Sequence, residues 1–311
     1  MTVLVTGGDG FIGRNAIEQL LASGERVEAV SRRPGRDARV RWHQADLLEP
    51  ESVAAVVAAS DAERLLHLAW YAVPGRFWTA PENERWVDAS LQLLRRFAEN
   101  GGRRAVVAGT CAEYRWGAPV LDERSTPLEP ATLYGVCKHA THVAAAALAE
   151  ELGFSLAWGR IFFVYGPGED PRRLVSSVAR GLLAGAEVPT TQGRQRRDFM
   201  HIADLARAFA MLTGSDVEGA INISTGEAPE VREIVRLIGE ATGAGERLRV
   251  GGLATREGEP ETIAGDATRL RDEVGFAPRV ELADGLRATV DWWRGELARE
   301  HAAAPGDGVP T

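Results

Sequence analysis

Tyr134 and Lys138 stand four residues apart in Tyr134-Gly135-Val136-Cys137-Lys138. On a helix that spacing puts a phenol and an ammonium on one face, where both can reach the same substrate atom. The chemistry is proton transfer to or from an oxygen. A phenol alone does this poorly at neutral pH, because its unperturbed pKa is about 10. A fixed cation beside it stabilises the phenolate and brings its proton affinity closer to the working range. Any ordinary helix can hold such a pair, so the neighbouring segments decide what it means.

The amino-terminal segment reads Gly7-Gly8-Asp9-Gly10-Phe11-Ile12-Gly13, between an apolar strand and a helical pattern. Gly7, Gly10 and Gly13 let a turn tighten, admit a pyrophosphate to the backbone and let the helix approach the sheet, with the positive helix end facing the diphosphate. The run, Phe11 and Ile12 included, is the expected dinucleotide cradle. The second strand ends Val30-Ser31-Arg32-Arg33, with no carboxylate for a free ribose hydroxyl. Ser31 can donate a hydrogen bond and Arg32 a bidentate phosphate contact, so NADP(H) is expected ahead of NAD(H). A solvated basic loop is the competing reading. Asp46 and Leu47, after the third strand, are expected to border the adenine, unless Asp46 caps a turn.

These residues need a frame. Apolar strand signals at 3–6, 27–31, 40–43, 65–68, 105–108 and 156–162 alternate with helical patterns at 11–23, 52–59, 83–100 and 133–152. That alternation predicts an α/β fold, a doubly wound parallel sheet covered on both faces. Further helices are expected at 174–183, 203–212, 231–242 and 282–299, and a strand at 220–223. The expected dinucleotide-binding domain is 1–167 plus about 194–224; an interwoven C-terminal substrate-binding lobe takes about 168–193 plus 225–300. Residues 301–311, rich in Ala, Pro and Gly without an apolar face, read as a flexible tail.

The chain has 311 residues, is 45% hydrophobic and carries a net charge of −8, which gives no support to nucleic-acid binding. No apolar run approaches a membrane span. Cys111 and Cys137 have neither metal-ligand spacing nor a disulfide framework, and the first strand begins almost at once, leaving no signal-peptide pattern. The expectation is a cytoplasmic protein with no metal site and no membrane partner. His139 and His142 read as helix-face residues.

With the glycine turn, Thr110 in Gly109-Thr110-Cys111-Ala112-Glu113-Tyr114, and Tyr134 and Lys138 in order, the chain resembles the extended short-chain dehydrogenase/reductase family, particularly its nucleotide-sugar epimerases, dehydratases and ketoreductases. The likeness spans nearly the whole chain and implies a Rossmann sheet. It implies that Thr110 hydrogen-bonds the reacting oxygen, that Tyr134 carries its proton, and that Lys138 lowers the phenol pKa and binds the nicotinamide ribose. Leu68 and Ala69, in Leu65-Leu66-His67-Leu68-Ala69, match a cofactor-side turn. Arg197, in Arg197-Asp198-Phe199-Met200-His201, and Arg256, in Arg256-Glu257-Gly258, match positions that hold the diphosphate of a nucleotide sugar. Relatives commonly form homodimers through two helices per subunit, for which 83–100 and 133–152 are the candidates.

Two departures narrow the chemistry. Nucleotide-sugar 4,6-dehydratases carry an Asp-Glu pair directly after the catalytic Thr, where this chain has Cys111 and Ala112. Removal of water needs an acid for the leaving hydroxyl and a base for the neighbouring carbon, so dehydration is disfavoured. Glu113, one residue late, is a candidate substrate contact, or else a carboxylate on the surface or hydrogen-bonded behind the site. The segment from Trp70 to Trp78 is rich in aromatic residues; Trp70 either walls the sugar or packs beneath the loop. The leading expectation is an NADPH-dependent ketoreductase of a nucleotide-linked 4-keto-6-deoxyhexose. The alternative is a nucleotide-sugar epimerase with tightly bound NAD, and a noncatalytic NADP-binding regulator ranks last.

Overall fold

The computed structural model describes residues 1–35, 37–255 and 257–303. Arg256, and 304–311 of the expected tail, lie outside them. Seven parallel strands form the main sheet: β1 (Thr2–Thr6), β2 (Arg26–Ser31), β3 (Arg41–Gln44), β4 (Arg64–His67), β5 (Arg104–Thr110), β6 (Ser155–Ile161) and β7 (Gly219–Ile223), in the order β7-β6-β5-β4-β1-β2-β3. The order reverses between β1 and β4. In such sheets the crevice at the carboxyl ends of the two diverging strands is where ligands bind.

Helices α1 (Phe11–Ala22), α2 (Pro50–Ala59), α3 (Glu82–Glu99), α4 (Leu133–Leu152), α5 (Leu174–Leu183) and α6 (Ile202–Gly214) follow in chain order. β1 is buried throughout and sends successive side chains to opposite faces. Val3 and Val5 join Ile17 and Leu20 of α1 and Leu205 and Phe209 of α6; Leu4 joins Val53 of α2 and Leu93, Leu94 and Phe97 of α3. Both faces are thus covered, which is why the strands read as near-continuous apolar runs.

The chain divides into two compact units, and every described residue of the expected catalytic and cofactor sites lies in the first, residues 1–164, 197–228 and 262–279. Residues 262–279, expected in the smaller lobe, belong to the first unit. Their only helix, α8 (Thr268–Asp272), is too short to announce itself by periodicity, and it packs on β7. In the second unit α5, α7 (Val231–Thr242) and α9 (Leu282–Ala303) pack pairwise. Trp293 Nε1 donates to Ser176 Oγ at 3.0 Å, and that hydroxyl donates to the buried Glu169 at 3.0 Å. α9 continues through 301–303, where a tail was expected. Among the described residues no helix is long and apolar enough to cross a membrane.

A Cβ on Gly159 of β6 would stand 2.7 Å from the Phe209 ring, so α6 seats a phenyl where β6 lacks a side chain. Phe209→Ala would leave that space empty and is expected to cost about 3–5 kcal/mol, measured by urea unfolding.

Candidate active site

The turn after β1 is closed by contacts that exclude side chains. Gly7 has φ +69°, and a Cβ there would lie 3.1 Å from the Ala69 backbone; a Cβ on Gly13 would lie 2.1 Å from the Gly7 carbonyl oxygen. Gly10 caps α1 without a side-chain hydrogen bond, and the first turn holds no acid. A backbone cradle at an uncapped, acid-free helix N-terminus fits a dinucleotide diphosphate. Phe11 and Ile12 begin the helix and pack on the core beneath it. The facing turn, Leu68 and Ala69, is fixed by Thr6 Oγ1, which accepts from both amides at 3.2 Å. With its acceptor positions filled, that hydroxyl donates to His67 Nδ1 at 2.6 Å, and His67 Nε2 donates to Ser90 Oγ at 2.9 Å. Burial, with Lys138 nearby, pushes His67 down to about 3, so it stays neutral.

At the end of β2 the Ser31 hydroxyl donates to the Arg33 carbonyl. The hydroxyl thus has a backbone partner two residues away. Arg32 is exposed, and Arg33 Nε lies 3.5 Å from Asp9 of the glycine turn. Asp46 accepts from the Leu48 amide at 3.0 Å, so it caps a turn, while Leu47 is buried beneath it.

β5 delivers Thr110 to a short 3₁₀ turn, Cys111–Glu113, which it caps: Thr110 Oγ1 accepts from the Ala112 amide at 3.2 Å. The first turn of α4 comes down on this segment. Thr132 Oγ1 caps α4 by accepting from the Gly135 amide at 3.1 Å. A Cβ on Gly135 would stand 2.3 Å from the Ala112 carbonyl oxygen, so the glycine between Tyr134 and Lys138 is what lets α4 approach Thr110.

Lys138 is 3% exposed. Its Nζ donates to the Ala108 carbonyl of β5 at 2.8 Å and lies 3.7 Å from the centroid of the Trp70 ring. Burial pulls its pKa down to about 7, and the carboxylate of Glu113 opposes that fall. Trp70 in turn stacks on Trp86 and donates Nε1 to Asn83 at 2.8 Å. Phe77 and Trp78 meet Tyr134 edge-on, at 4.9 Å and 5.9 Å between centroids. The aromatic segment therefore packs on Tyr134 and Lys138 themselves. Asn83, absent from the sequence reading, organises it by also donating to the Phe77 and Ala80 carbonyls; its position at the start of an aromatic-flanked helix was the available signal.

Glu113 has no exposure, and its carboxylate accepts from the Thr110 amide, Trp158 Nε1 and Arg160 Nε. This corrects its expected place as a substrate contact, since both oxygens are taken up inside the core. Glu113, His139 and His142 bring donor atoms within 4.8 Å of one another, but Arg160 Nη2 stands 3.5 Å from His142 Nδ1, which opposes a cation there. Burial, aided by the Asp198 and Glu113 carboxylates, pushes the Cys111 thiol up to about 12. Arg197 is 5% exposed, its guanidinium carbon 5.7 Å from the Phe163 ring centroid.

Residues 3–224 match the NAD dependent epimerase/dehydratase family. The chain belongs to it. It is accordingly an enzyme of the NAD(P)-dependent oxidoreductase type on a Rossmann sheet. Within the family it is similar to the dTDP-6-deoxy-L-talose 4-dehydrogenase (NAD(+)) of Aggregatibacter actinomycetemcomitans, 30% identical over 76% of this chain and 88% of that one. The structure of MoeE5 in complex with UDP-glucuronic acid and NAD is 34% identical, with a TM-score of 0.83 over 95% of this chain and 100% of the other. The UDP-glucose 4-epimerase of Thermus thermophilus in complex with NAD is 28% identical, with a TM-score of 0.85 over 95% and 99%.

Because the folded value of Lys138 lies below the ordinary lysine value of about 10.4, the unfolded chain binds more protons between the two. Wild type is therefore expected to gain stability relative to Lys138→Met as pH rises from about 7 to about 10. Urea unfolding of both proteins at about pH 6 and about pH 9.5 checks this, and a pH-independent difference would contradict it.

Proposed function

We propose that this protein is a nucleotide-sugar epimerase that oxidises a ring hydroxyl transiently with tightly held NAD and returns the hydride to the opposite face of the same carbon. One observation supports the reading: among the described residues, the turn that follows Thr110 offers no second acid–base pair. Cys111 is held as a thiol, Ala112 has no titratable group, and Glu113 is engaged inside the core. Epimerisation needs one hydroxyl deprotonated and reprotonated, which one phenol can do; loss of water needs a further acid and base. The likeness to a UDP-glucose 4-epimerase and to MoeE5, each in complex with NAD, supports this reading of cofactor and substrate class.

In this reading Tyr134 takes the hydroxyl proton and gives it back. Lys138 stabilises the phenolate and holds the nicotinamide ribose, and Thr110 hydrogen-bonds the reacting oxygen. The nicotinamide, when bound along Gly7 to Gly13 and the Leu68–Ala69 turn, supplies the hydride acceptor. Arg197 holds the diphosphate linker of the sugar, a task suited to a planar guanidinium group. α3 and α4 form the homodimer face, with Val136 and Val143 exposed on α4. The compartment is the cytoplasm, in keeping with two buried free thiols.

A second reading, net reduction of a nucleotide-linked keto sugar by NADPH, is favoured by the exposed Arg32 at the end of β2, where no carboxylate stands. Incubation with UDP-glucose or UDP-glucuronic acid and catalytic NAD is expected to give the epimer with no net change in nicotinamide absorbance. Stoichiometric NADPH loss with a 4-keto-6-deoxy sugar nucleotide would replace this with reduction; dinucleotide binding without either reaction would favour a regulator. Tyr134→Phe should lower kcat by about 10²–10⁴-fold while NAD affinity stays within about threefold.

A further inference from the structure

The carboxylate of Glu113 joins the elements that carry the catalytic residues. Oε1 accepts from the Thr110 amide and from Trp158 Nε1, each at 2.8 Å, and Oε2 accepts from Arg160 Nε at 2.9 Å. Arg160 donates through Nη1 to the Tyr114 hydroxyl at 2.9 Å, which donates to Asn222 Oδ1 at 2.7 Å. His142, one turn beyond Lys138 on α4, stacks on Trp158 with centroids 4.7 Å apart and brings Nδ1 to 3.8 Å from Glu113 Oε2. β5, β6 and α4 thus meet at one buried group. The fit is close: a Cβ on Gly109 would stand 2.1 Å from Trp158 Nε1 and 2.7 Å from Glu113 Oε1.

Arg160 is 1% exposed. Burial pulls its pKa down, yet Glu113 and Tyr114 outweigh that and hold it above the ordinary arginine value. Buried ion pairs contribute little net stability, because desolvating both charges cancels much of their attraction, and apolar pairs of similar volume are often as stable. What this pair supplies in return is direction, since a charged acceptor pointed at the Thr110 amide fixes where β5 ends. We propose that Glu113, locked by Arg160, is a positioning residue of the reaction, holding the Thr110 backbone in fixed register with the helix that carries Tyr134 and Lys138. The proposal rests on the functional reading above, in which Thr110 touches the reacting oxygen.

The test is the paired replacement Glu113→Val with Arg160→Met, which removes both charges and keeps the space filled, beside the conservative Glu113→Gln, which keeps an acceptor for the Thr110 amide. Thermal unfolding, NAD titration, and kcat and KM with the sugar nucleotide that wild type converts are read on each. The paired variant leaves the buried Thr110 amide and Trp158 Nε1 without their acceptor, so it is expected to unfold cooperatively at a temperature below that of wild type, to keep KM and NAD affinity within about threefold, and to lose at least about tenfold in kcat. Glu113→Gln should lose less than the pair. In a Thr110→Ala background the pair should cost little more, because effects transmitted through one residue do not add. A paired variant that loses its fold, or one that turns over within about twofold of wild type, overturns the proposal alone. A wild type inactive on UDP-glucose, UDP-glucuronic acid and 4-keto-6-deoxy sugar nucleotides overturns the functional reading and this proposal together.

Discussion

Keeping the Lys138 ammonium out of water sets the terms for everything around it. An unpaired buried cation would be too costly to retain, so this one has a carbonyl from β5 on one side and an indole face on the other. Reaching that carbonyl requires α4 to lie close against the end of β5, and Gly135 makes room for it. The indole must be held in turn, which explains the buried Asn83 beneath Trp70. Burial weakens the lysine's hold on its proton, and the negative charge of Glu113 restores part of it. Position and electrostatics are therefore one problem here, because the same few groups supply both.

That the glycine run turns into a helix, and that Tyr134 and Lys138 share one, was legible because both lie in spacing, and spacing survives in a linear chain. The order of strands and helices was legible for the same reason, down to identical limits for α4 and α5. What failed to show was direction. Ser31 and Asp46 have the right chemistry for a ligand, but each finds a backbone partner two residues away, and local bonds form at little entropic cost. Glu113 looked like a carboxylate near a substrate because a chain does not say which side of a strand end faces inward. Its partners Trp158 and Arg160 come from β6, 45 and 47 residues further on, and nothing local links them.

The 3₁₀ turn after Thr110 follows the same logic. Its polar groups bond to the framework around it. Cys111 and Ala112 are buried, and the one carboxylate in the turn faces the core. Polar groups engaged in this way hold shape.

The aromatic packing around Tyr134 and Lys138 has an optical consequence. An indole whose face lies 3.7 Å from an ammonium sits in a strong local field, and its excited state shifts with that field. Trp70 is thus a native fluorophore positioned on the charge that matters, with Trp78 on the neighbouring phenol. Proton loss from Lys138 is expected to alter the emission of an unlabelled protein, and single Trp→Phe replacements would identify which ring is reporting.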